Sequence, residues 1–155
     1  MLDHLYMSLA LDEARLAWLA DEIPVGAVAV CGGRVIARGR NRKEEKRLAL
    51  SHAEIEVVQA ASRQLSDWRL SEVTLYVTLE PCLMCAGALL QARIGRVVYG
   101  CHDPKAGALN TLYKLGEDQR LNHTFPVRSG VFAAEAAALL QGFFRALRRR
   151  NKVIK

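Results

Sequence analysis

The chain has 155 residues, enough for one domain and too few for a second independent core. Its hydrophobic fraction of 51% and charged fraction of 25% exclude a disordered chain and are typical of a globular protein. It contains no run of about 18 apolar residues, so we expect no membrane span, and its acidic start does not resemble a signal peptide. We therefore expect a cytoplasmic protein, in which four cysteines indicate metal binding or catalysis rather than disulfides.

The first half of the chain is predicted to form a helix and then a hairpin. Leucines at 2, 5, 9 and 16 share one face at helical spacing, which predicts an amphipathic helix over 2–20. Two strand patterns, the apolar stretch 25–31 and the segment 34–38, flank Gly32-Gly33, a dipeptide typical of a tight hairpin turn. Residues 39–50 are polar and basic, which predicts a loop.

The second half is predicted to alternate helices with strands. Ser51 and Glu54 have the spacing of a capping box, so we expect Ser51 to be the N-cap of the next helix. Pro81 is suited to the first turn of the helix after it. The predicted segments are a helix over 52–65, a buried strand over 73–79, a helix over 82–93, a strand over 96–101, a loop over 103–125, an edge strand over 127–131 and a helix over 133–150.

This order of elements predicts an α/β fold. Strands that alternate with helices are typical of a sheet covered by helices on both faces. We therefore expect one domain over 1–155, a three-layer α/β/α sandwich with a mixed five-stranded sheet whose first two strands are antiparallel.

The net charge of +6 lies at the C-terminus. The last eleven residues contain six Lys and Arg and no acid, so residues 1–144 are neutral overall. Concentrated positive charge is typical of proteins that bind a polyanion such as a nucleic acid. Cations at a helix C-terminus also favour the helix dipole and solubility, so charge alone leaves both interpretations open.

The residues best suited to chemistry are His52, Glu54, Cys82 and Cys85. The two cysteines are three apart at a predicted helix start, where their sulfurs share a face and the helix dipole favours thiolates. A neutral imidazole and two thiolates balance the charge of Zn²⁺ and leave a fourth position for water, which is the pattern of catalytic zinc.

Glu54 favours a catalytic site over a purely structural one. A carboxylate beside an activated water can take its proton and return it elsewhere. Two other interpretations remain at this stage: Glu54 as a capping residue only, and Cys82 with Cys85 as a redox pair. The redox interpretation leaves His52 and Glu54 unexplained.

His-x-Glu followed by Pro-Cys-x-x-Cys resembles the signature of the zinc-dependent cytidine/deoxycytidylate deaminase superfamily. The motif is shared by cytidine, cytosine and guanine deaminases, so it indicates only the superfamily. Further segments make nearly the whole chain similar to the bacterial tRNA-specific adenosine deaminases. These segments are 24–28, Asn41, 52–55, 78–88, 103–108, 121–123 and 143–145.

The resemblance implies a cytidine-deaminase-like fold and the hydrolytic deamination of adenosine to inosine at the wobble position of a tRNA anticodon loop. It implies one Zn²⁺ per subunit, held by His52, Cys82 and Cys85, whose bound hydroxide attacks carbon six of adenine. Glu54 is then the catalytic proton shuttle.

The resemblance also implies the substrate contacts and the partners. Asn41 is expected to hydrogen-bond the flipped base or its ribose, the Ala53 backbone to orient the base edge, and Ile23 to line the pocket wall. The expected partners are a tRNA anticodon stem-loop and a second copy of the chain in a homodimer. The expected outer substrate contacts are Asp103, Lys105, Asn122 and Arg148, the last on the basic C-terminal helix.

Two other functions compete with this prediction. The first is deamination of a free base or nucleoside, which gives no reason for six clustered cations. The second is a zinc-stabilised RNA-binding module without turnover, which gives no reason for Glu54. A steep fall in RNA affinity as the salt concentration rises would distinguish an RNA-directed enzyme from a deaminase of free bases or nucleosides.

Overall fold

Five strands form one mixed sheet in the computed structural model, which describes residues 1–154. Their order across the sheet is β2-β1-β3-β4-β5; β1 is antiparallel to both β2 and β3, whereas β4 is parallel to both β3 and β5. The predicted antiparallel start and mixed five-stranded sheet are confirmed. The strands are β1 (Gly26–Cys31), β2 (Arg34–Arg40), β3 (Val73–Leu79), β4 (Arg96–Cys101) and β5 (Val127–Arg128).

Helices cover both faces of this sheet, which confirms the three-layer sandwich. Helices α1 and α5 pack on one face, and α3 and α4 pack on the other. Along β1, Ala27 and Ala29 point to the α3 and α4 side, whereas Val28 and Val30 point to the α1 side. The helices are α1 (Leu2–Leu19), α2 (Lys43–Lys46), α3 (Ala53–Leu65), α4 (Leu83–Gln91) and α5 (Ala133–Ile154), with a 3₁₀ turn at Leu115–Glu117.

The carboxyl ends of the parallel strands β3 and β4 lie together, since the backbone N–H of Glu80 donates to the Cys101 carbonyl at 2.9 Å. The opposite ends of these strands are joined to α1 by buried Asp3. Tyr76 Oη donates to Asp3 at 2.8 Å, and Arg96 donates to both of its carboxylate oxygens at 3.0 and 2.9 Å. The hydrogen bonds from Arg96 hold the pKa of Asp3 well below its usual range.

The segment predicted as a loop over 39–50 contains the short helix α2, and β2 extends to Arg40. The buried carboxylate of Glu22 explains this helix, because it accepts hydrogen bonds from the backbone N–H groups of Glu44 and Glu45 at 2.8 and 3.4 Å. The cap lies about twenty residues before the helix, so a local pattern does not reveal it.

The predicted helix starts also need correction. The N-cap of α3 is His52, not Ser51, and α4 begins at Leu83 with Cys82 as its N-cap. Pro81 therefore precedes α4 instead of lying in its first turn. The edge strand β5 is shorter than predicted, whereas α5 extends to Ile154. None of the helices within residues 1–154 has the length and apolarity that crossing a bilayer requires.

Candidate active site

His52 and Cys82 occupy equivalent places in the fold, as the N-caps of neighbouring helices on one face of the sheet. Cys85 follows in the first turn of α4. The Nδ1 atom of His52 lies 3.6 Å from Cys82 Sγ and 3.5 Å from Cys85 Sγ. The two helix starts thus bring together three residues that lie up to 33 positions apart in the chain.

These three side chains fit a tetrahedral zinc ion. Zn–N and Zn–S bonds of about 2.0 and 2.3 Å, at a tetrahedral angle, separate nitrogen from sulfur by about 3.5 Å. The observed separations of 3.5 and 3.6 Å match that span. Within residues 1–154, no other cluster of three His, Cys, Asp or Glu side chains has its ligand atoms this close together, and both sulfurs are free thiols.

The two thiols differ in acidity. A hydrogen bond from Cys85 lowers the pKa of the Cys82 thiol to about 4, and the same hydrogen bond raises the pKa of Cys85. Because metal binding requires deprotonated thiols, a cation that binds here must displace the proton of the less acidic thiol, Cys85.

Glu54 lies beside this cluster in the first turn of α3, with only 4% of its surface exposed. Burial raises the pKa of its carboxyl to about 7. A carboxyl with that pKa both accepts and releases a proton near neutral pH, which is the property required of a general acid and base. The capping-box role predicted from Ser51 does not apply, because His52 is the N-cap.

A cavity of about 170 Å³ opens next to Glu54. Four residues predicted to contact substrate line it together: Ile23, Asn41, Ala53 and Asp103. Its volume is below the roughly 300 Å³ at which drug-sized pockets begin, so it suits one small, flat heterocycle such as a purine or pyrimidine. Five further lining residues were missed by the sequence analysis: Val25, Lys43, Leu79, Glu80 and Ala106.

Asn41 is fixed at the mouth of this cavity. Its side-chain Nδ2 donates to the Ile23 carbonyl at 3.2 Å, and its Oδ1 accepts from the Lys43 backbone N–H at 3.2 Å. Each of these groups keeps one hydrogen-bonding position for another partner, because an amide carries two N–H donors and two lone pairs. Asn41 can thus bind a ligand without losing its present contacts.

A broader groove continues from the cavity toward α5. Two open cavities, of about 470 and 560 Å³, share Lys105 and Phe144, and the larger one is also lined by Arg148. The structure thus places Lys105 and Arg148 on one surface adjoining the cavity. Asn122 is exposed and lines neither the cavity nor this groove.

Glu80 is the most highly hydrogen-bonded carboxylate in this region, and the sequence analysis did not identify it. Its side chain is fully buried, and it accepts hydrogen bonds from the segment 102–111. Although burial acts to raise its pKa, hydrogen bonds from Thr111, Asn110 and Asp103 lower it overall. The one feature of the sequence that could have drawn attention to Glu80 is its place as an acidic residue directly after an apolar strand, in Leu79-Glu80-Pro81.

Comparison with known proteins identifies the relatives of this chain. A family model of MafB19-like deaminases matches residues 1–148. A tRNA-specific adenosine deaminase of Bacillus subtilis is 45% identical over 153 residues, which covers 99% of this chain and 95% of that protein. A tRNA-specific adenosine deaminase of Agrobacterium fabrum is 47% identical over 143 residues, covering 92% and 94%.

Solved structures give the same result for the fold. A structure from a study of A-to-I editing by tRNA:A34 deaminases at the wobble position has a TM-score of 0.84 and 47% identity, and covers 87% of this chain and 98% of that chain. A guanine deaminase of Nitrosomonas europaea has a TM-score of 0.80 at 24% identity, covering 90% and 83%, a similarity that concerns the fold alone. The expected cytidine-deaminase-like fold is therefore confirmed.

Proposed function

The chain belongs to the tRNA-specific adenosine deaminases, and we propose that it hydrolyses adenosine to inosine at the wobble position of a tRNA anticodon loop. The observation that carries this proposal is the buried Glu54 carboxyl, which opens on a ring-sized cavity beside His52, Cys82 and Cys85. Relatives named tRNA-specific adenosine deaminases match almost the full chain. An enzyme with this substrate is expected in the cytoplasm.

His52, Cys82 and Cys85 would hold one Zn²⁺ per subunit. The spacing of their donor atoms supports this assignment. Bound at such a site, zinc lowers the pKa of a water molecule toward neutrality.

Glu54 moves the protons of the reaction. Its carboxylate accepts a proton from the water that adds to carbon six of adenine, and returns it to the ring nitrogen beside that carbon. It then takes the remaining proton from the added hydroxyl and transfers it to the amino group, which leaves as ammonia as the C–N bond breaks and the carbonyl forms. Adenosine and water thus give inosine and ammonia, and Glu54 ends in the state in which it began.

The cavity wall orients the base. Asn41 has one free N–H and one free lone pair for the base or its ribose. The backbone N–H of Ala53 lies in the first turn of α3, where amides lack intrahelical acceptors, so it can bind an acceptor on the base edge. Ile23 supplies an apolar surface beside the ring.

The groove beside the cavity binds the rest of the anticodon loop. Asp103 and Lys105 contact nucleotides next to the reacting adenosine, whereas a contact from Asn122, which lines neither the cavity nor the groove, is supported by the family resemblance alone. Arg148 and the other cations of α5 bind phosphates, which accounts for the concentrated positive charge. The enzyme acts as a homodimer.

The test is incubation of the metal-loaded protein with an anticodon stem-loop that carries adenosine at the wobble position, followed by sequencing for inosine. We expect inosine at that position only, and none after removal of the metal with EDTA. Free guanine, cytosine and cytidine are tested in parallel by ammonia release. Deamination of these compounds without inosine in the stem-loop would assign the protein to another branch of the superfamily.

A further inference from the structure

Glu80 connects the cavity to the loop that follows β4. It lies directly after β3 and two residues before Cys82. Its Oε2 accepts hydrogen bonds from three successive backbone N–H groups, those of Leu109, Asn110 and Thr111, at 3.1, 2.9 and 3.0 Å. One buried carboxylate oxygen therefore fixes the far end of the loop.

The other oxygen fixes the near end of the same loop. Oε1 of Glu80 accepts from the backbone N–H of Asp103 at 3.2 Å and from the Thr111 hydroxyl. Both ends of the segment 103–111, which we call the substrate loop, thus close on a single side chain. Among residues 1–154 the donors to this carboxylate include no Lys or Arg, and backbone amides of the loop supply most of them, with His102 Nδ1 lying 3.4 Å from Oε1.

Gly107 shows how closely the loop encloses Glu80. A Cβ atom at position 107 would collide with the Glu80 carboxyl group, so only glycine fits there. Within the loop, the Asp103 side chain accepts from the backbone N–H groups of Lys105 and Ala106 at 3.0 and 3.2 Å. The positions of Asp103 and Lys105 therefore follow from the place of Glu80.

We propose that Glu80 is a positioning residue that sets the register of the substrate loop against the catalytic cavity, and through it the discrimination of the nucleotides next to the reacting adenosine. The inference rests on the proposed function. Since Glu80 and Cys82 are separated by Pro81 alone, the same short segment places a predicted metal ligand and both ends of the loop. The two peptide units that join Glu80 to Cys82 therefore set the position of the substrate loop relative to the predicted metal site.

The test compares Glu80→Gln with the wild-type enzyme on anticodon stem-loops, using metal-loaded, full-length protein. Each nucleotide flanking the adenosine is changed in turn, and kcat/KM for the preferred stem-loop is divided by kcat/KM for each changed one. A glutamine cannot accept this set of N–H donors with both of its terminal atoms. We expect discrimination to fall roughly tenfold, mainly through KM for the preferred stem-loop, with the metal retained.

The matched control is Asp3→Asn, which removes another buried, hydrogen-bonded carboxylate at the opposite end of β3 and β4. It is expected to lower the thermal midpoint of unfolding and to leave discrimination unchanged. A second variant, Thr111→Val, removes one hydroxyl donor without altering Glu80 and is expected to lower discrimination by a smaller factor in the same direction.

The outcomes are distinct. An active wild-type enzyme whose Glu80→Gln and Thr111→Val variants keep full discrimination would overturn the inference. Equal loss of discrimination in Asp3→Asn would also overturn it, because the effect would then follow from stability alone. A wild-type protein that forms no inosine in any stem-loop would instead overturn the proposed function.

Discussion

Two buried glutamates line the same cavity, yet their surroundings give them opposite acid–base behaviour. Burial raises the pKa of Glu54 to about 7, because it outweighs the hydrogen bonds from its own backbone N–H and from the Cys85 thiol. Burial acts on Glu80 as well, but donors from the substrate loop outweigh it and lower the pKa of that carboxyl. The number of donors, not burial itself, decides which carboxyl titrates near neutral pH.

The two glutamates therefore have different roles in one site: Glu54 transfers protons, and Glu80 holds the backbone of the substrate loop in place. A buried carboxyl with few donors is costly to ionise, so its pKa rises toward neutrality, where it can accept and release a proton. A carboxyl saturated with donors keeps its charge and fixes the backbone that supplies them. The same residue type therefore serves as a proton carrier in Glu54 and as an anchor in Glu80.

The largest effect is expected from Glu54→Gln. Removal of the proton carrier should lower kcat for inosine formation by roughly 10²–10⁴-fold, while the metal content and the fold are retained. The measurement is single-turnover deamination of the stem-loop together with metal analysis. Glu56→Gln is the control on the same helix, because Glu56 pairs with Lys46 at 2.8 Å and faces away from the cavity. Unchanged ammonia release by Glu54→Gln would contradict the assigned role of Glu54.

Cys85→Ser tests whether a zinc ion binds next to Glu54. Loss of one thiolate should prevent zinc binding and remove the stabilisation that bound metal supplies, about 4 kcal/mol for metal at a thousand times its Kd. Zinc content and thermal unfolding with and without EDTA measure both effects. Cys101→Ser is the control, since Cys101 is buried in the core and its thiol donates to the Thr78 carbonyl at 3.7 Å. EDTA should lower the thermal midpoint of unfolding of the Cys101→Ser control and leave that of Cys85→Ser unchanged.

The sequence predicted most of the fold and the centre of the site because both depend on short patterns. Residues His52, Cys82 and Cys85 lie at helix starts, where a few neighbouring residues determine the local structure. Glu80 could not be assigned in this way, since its donors follow it by 23 to 31 positions and are mostly backbone amides, which any residue type supplies. Helix α2 was missed for the same reason, because its cap is the distant Glu22.

The capping box failed for a different physical reason. Ser51 and Glu54 have the correct spacing, but the helix starts one residue later than the pattern requires, at Ala53. Ser51 is buried, and its hydroxyl has no hydrogen-bond partner among the described residues. The shift leaves His52 at the helix N-cap, where its ring faces the two sulfurs instead of continuing a helical turn.

The two glutamates should also affect stability with opposite signs in metal-free protein. The folded-state pKa of Glu54 is about 7, above its ordinary value of 4.5, so the folded protein binds this proton more tightly and the free energy of unfolding falls as pH rises between those values. At pH 8, Glu54→Gln should therefore raise the free energy of unfolding by about 1–3 kcal/mol, and Glu80→Gln should lower it by a similar amount.

Urea denaturation of EDTA-treated proteins at pH 5 and pH 8 measures both changes. The gain from Glu54→Gln should shrink toward pH 5, where the carboxyl of the folded protein is already protonated. The loss from Glu80→Gln should persist at pH 5, because the folded-state pKa of Glu80 lies below its ordinary value. Destabilisation of similar size by both substitutions at pH 8 would show that Glu54 is satisfied by donors in the folded protein.

The smallest effect is expected from Arg148→Gln. This variant distinguishes phosphate binding by α5 from nucleotide recognition by the substrate loop. Loss of one phosphate contact should weaken binding of all stem-loops by a similar factor, and should reduce the slope of log affinity against log salt by about 1. Arg15→Gln is the control, because Arg15 is exposed on α1 and pairs with Asp12 outside the groove. Binding titrations at several salt concentrations measure this slope, which should change for Arg148→Gln and not for Arg15→Gln. Glu80→Gln should keep the wild-type slope, but its activity should no longer depend on the nucleotides next to the adenosine. A change in that dependence caused by Arg148→Gln would place base recognition on α5 as well as on the substrate loop.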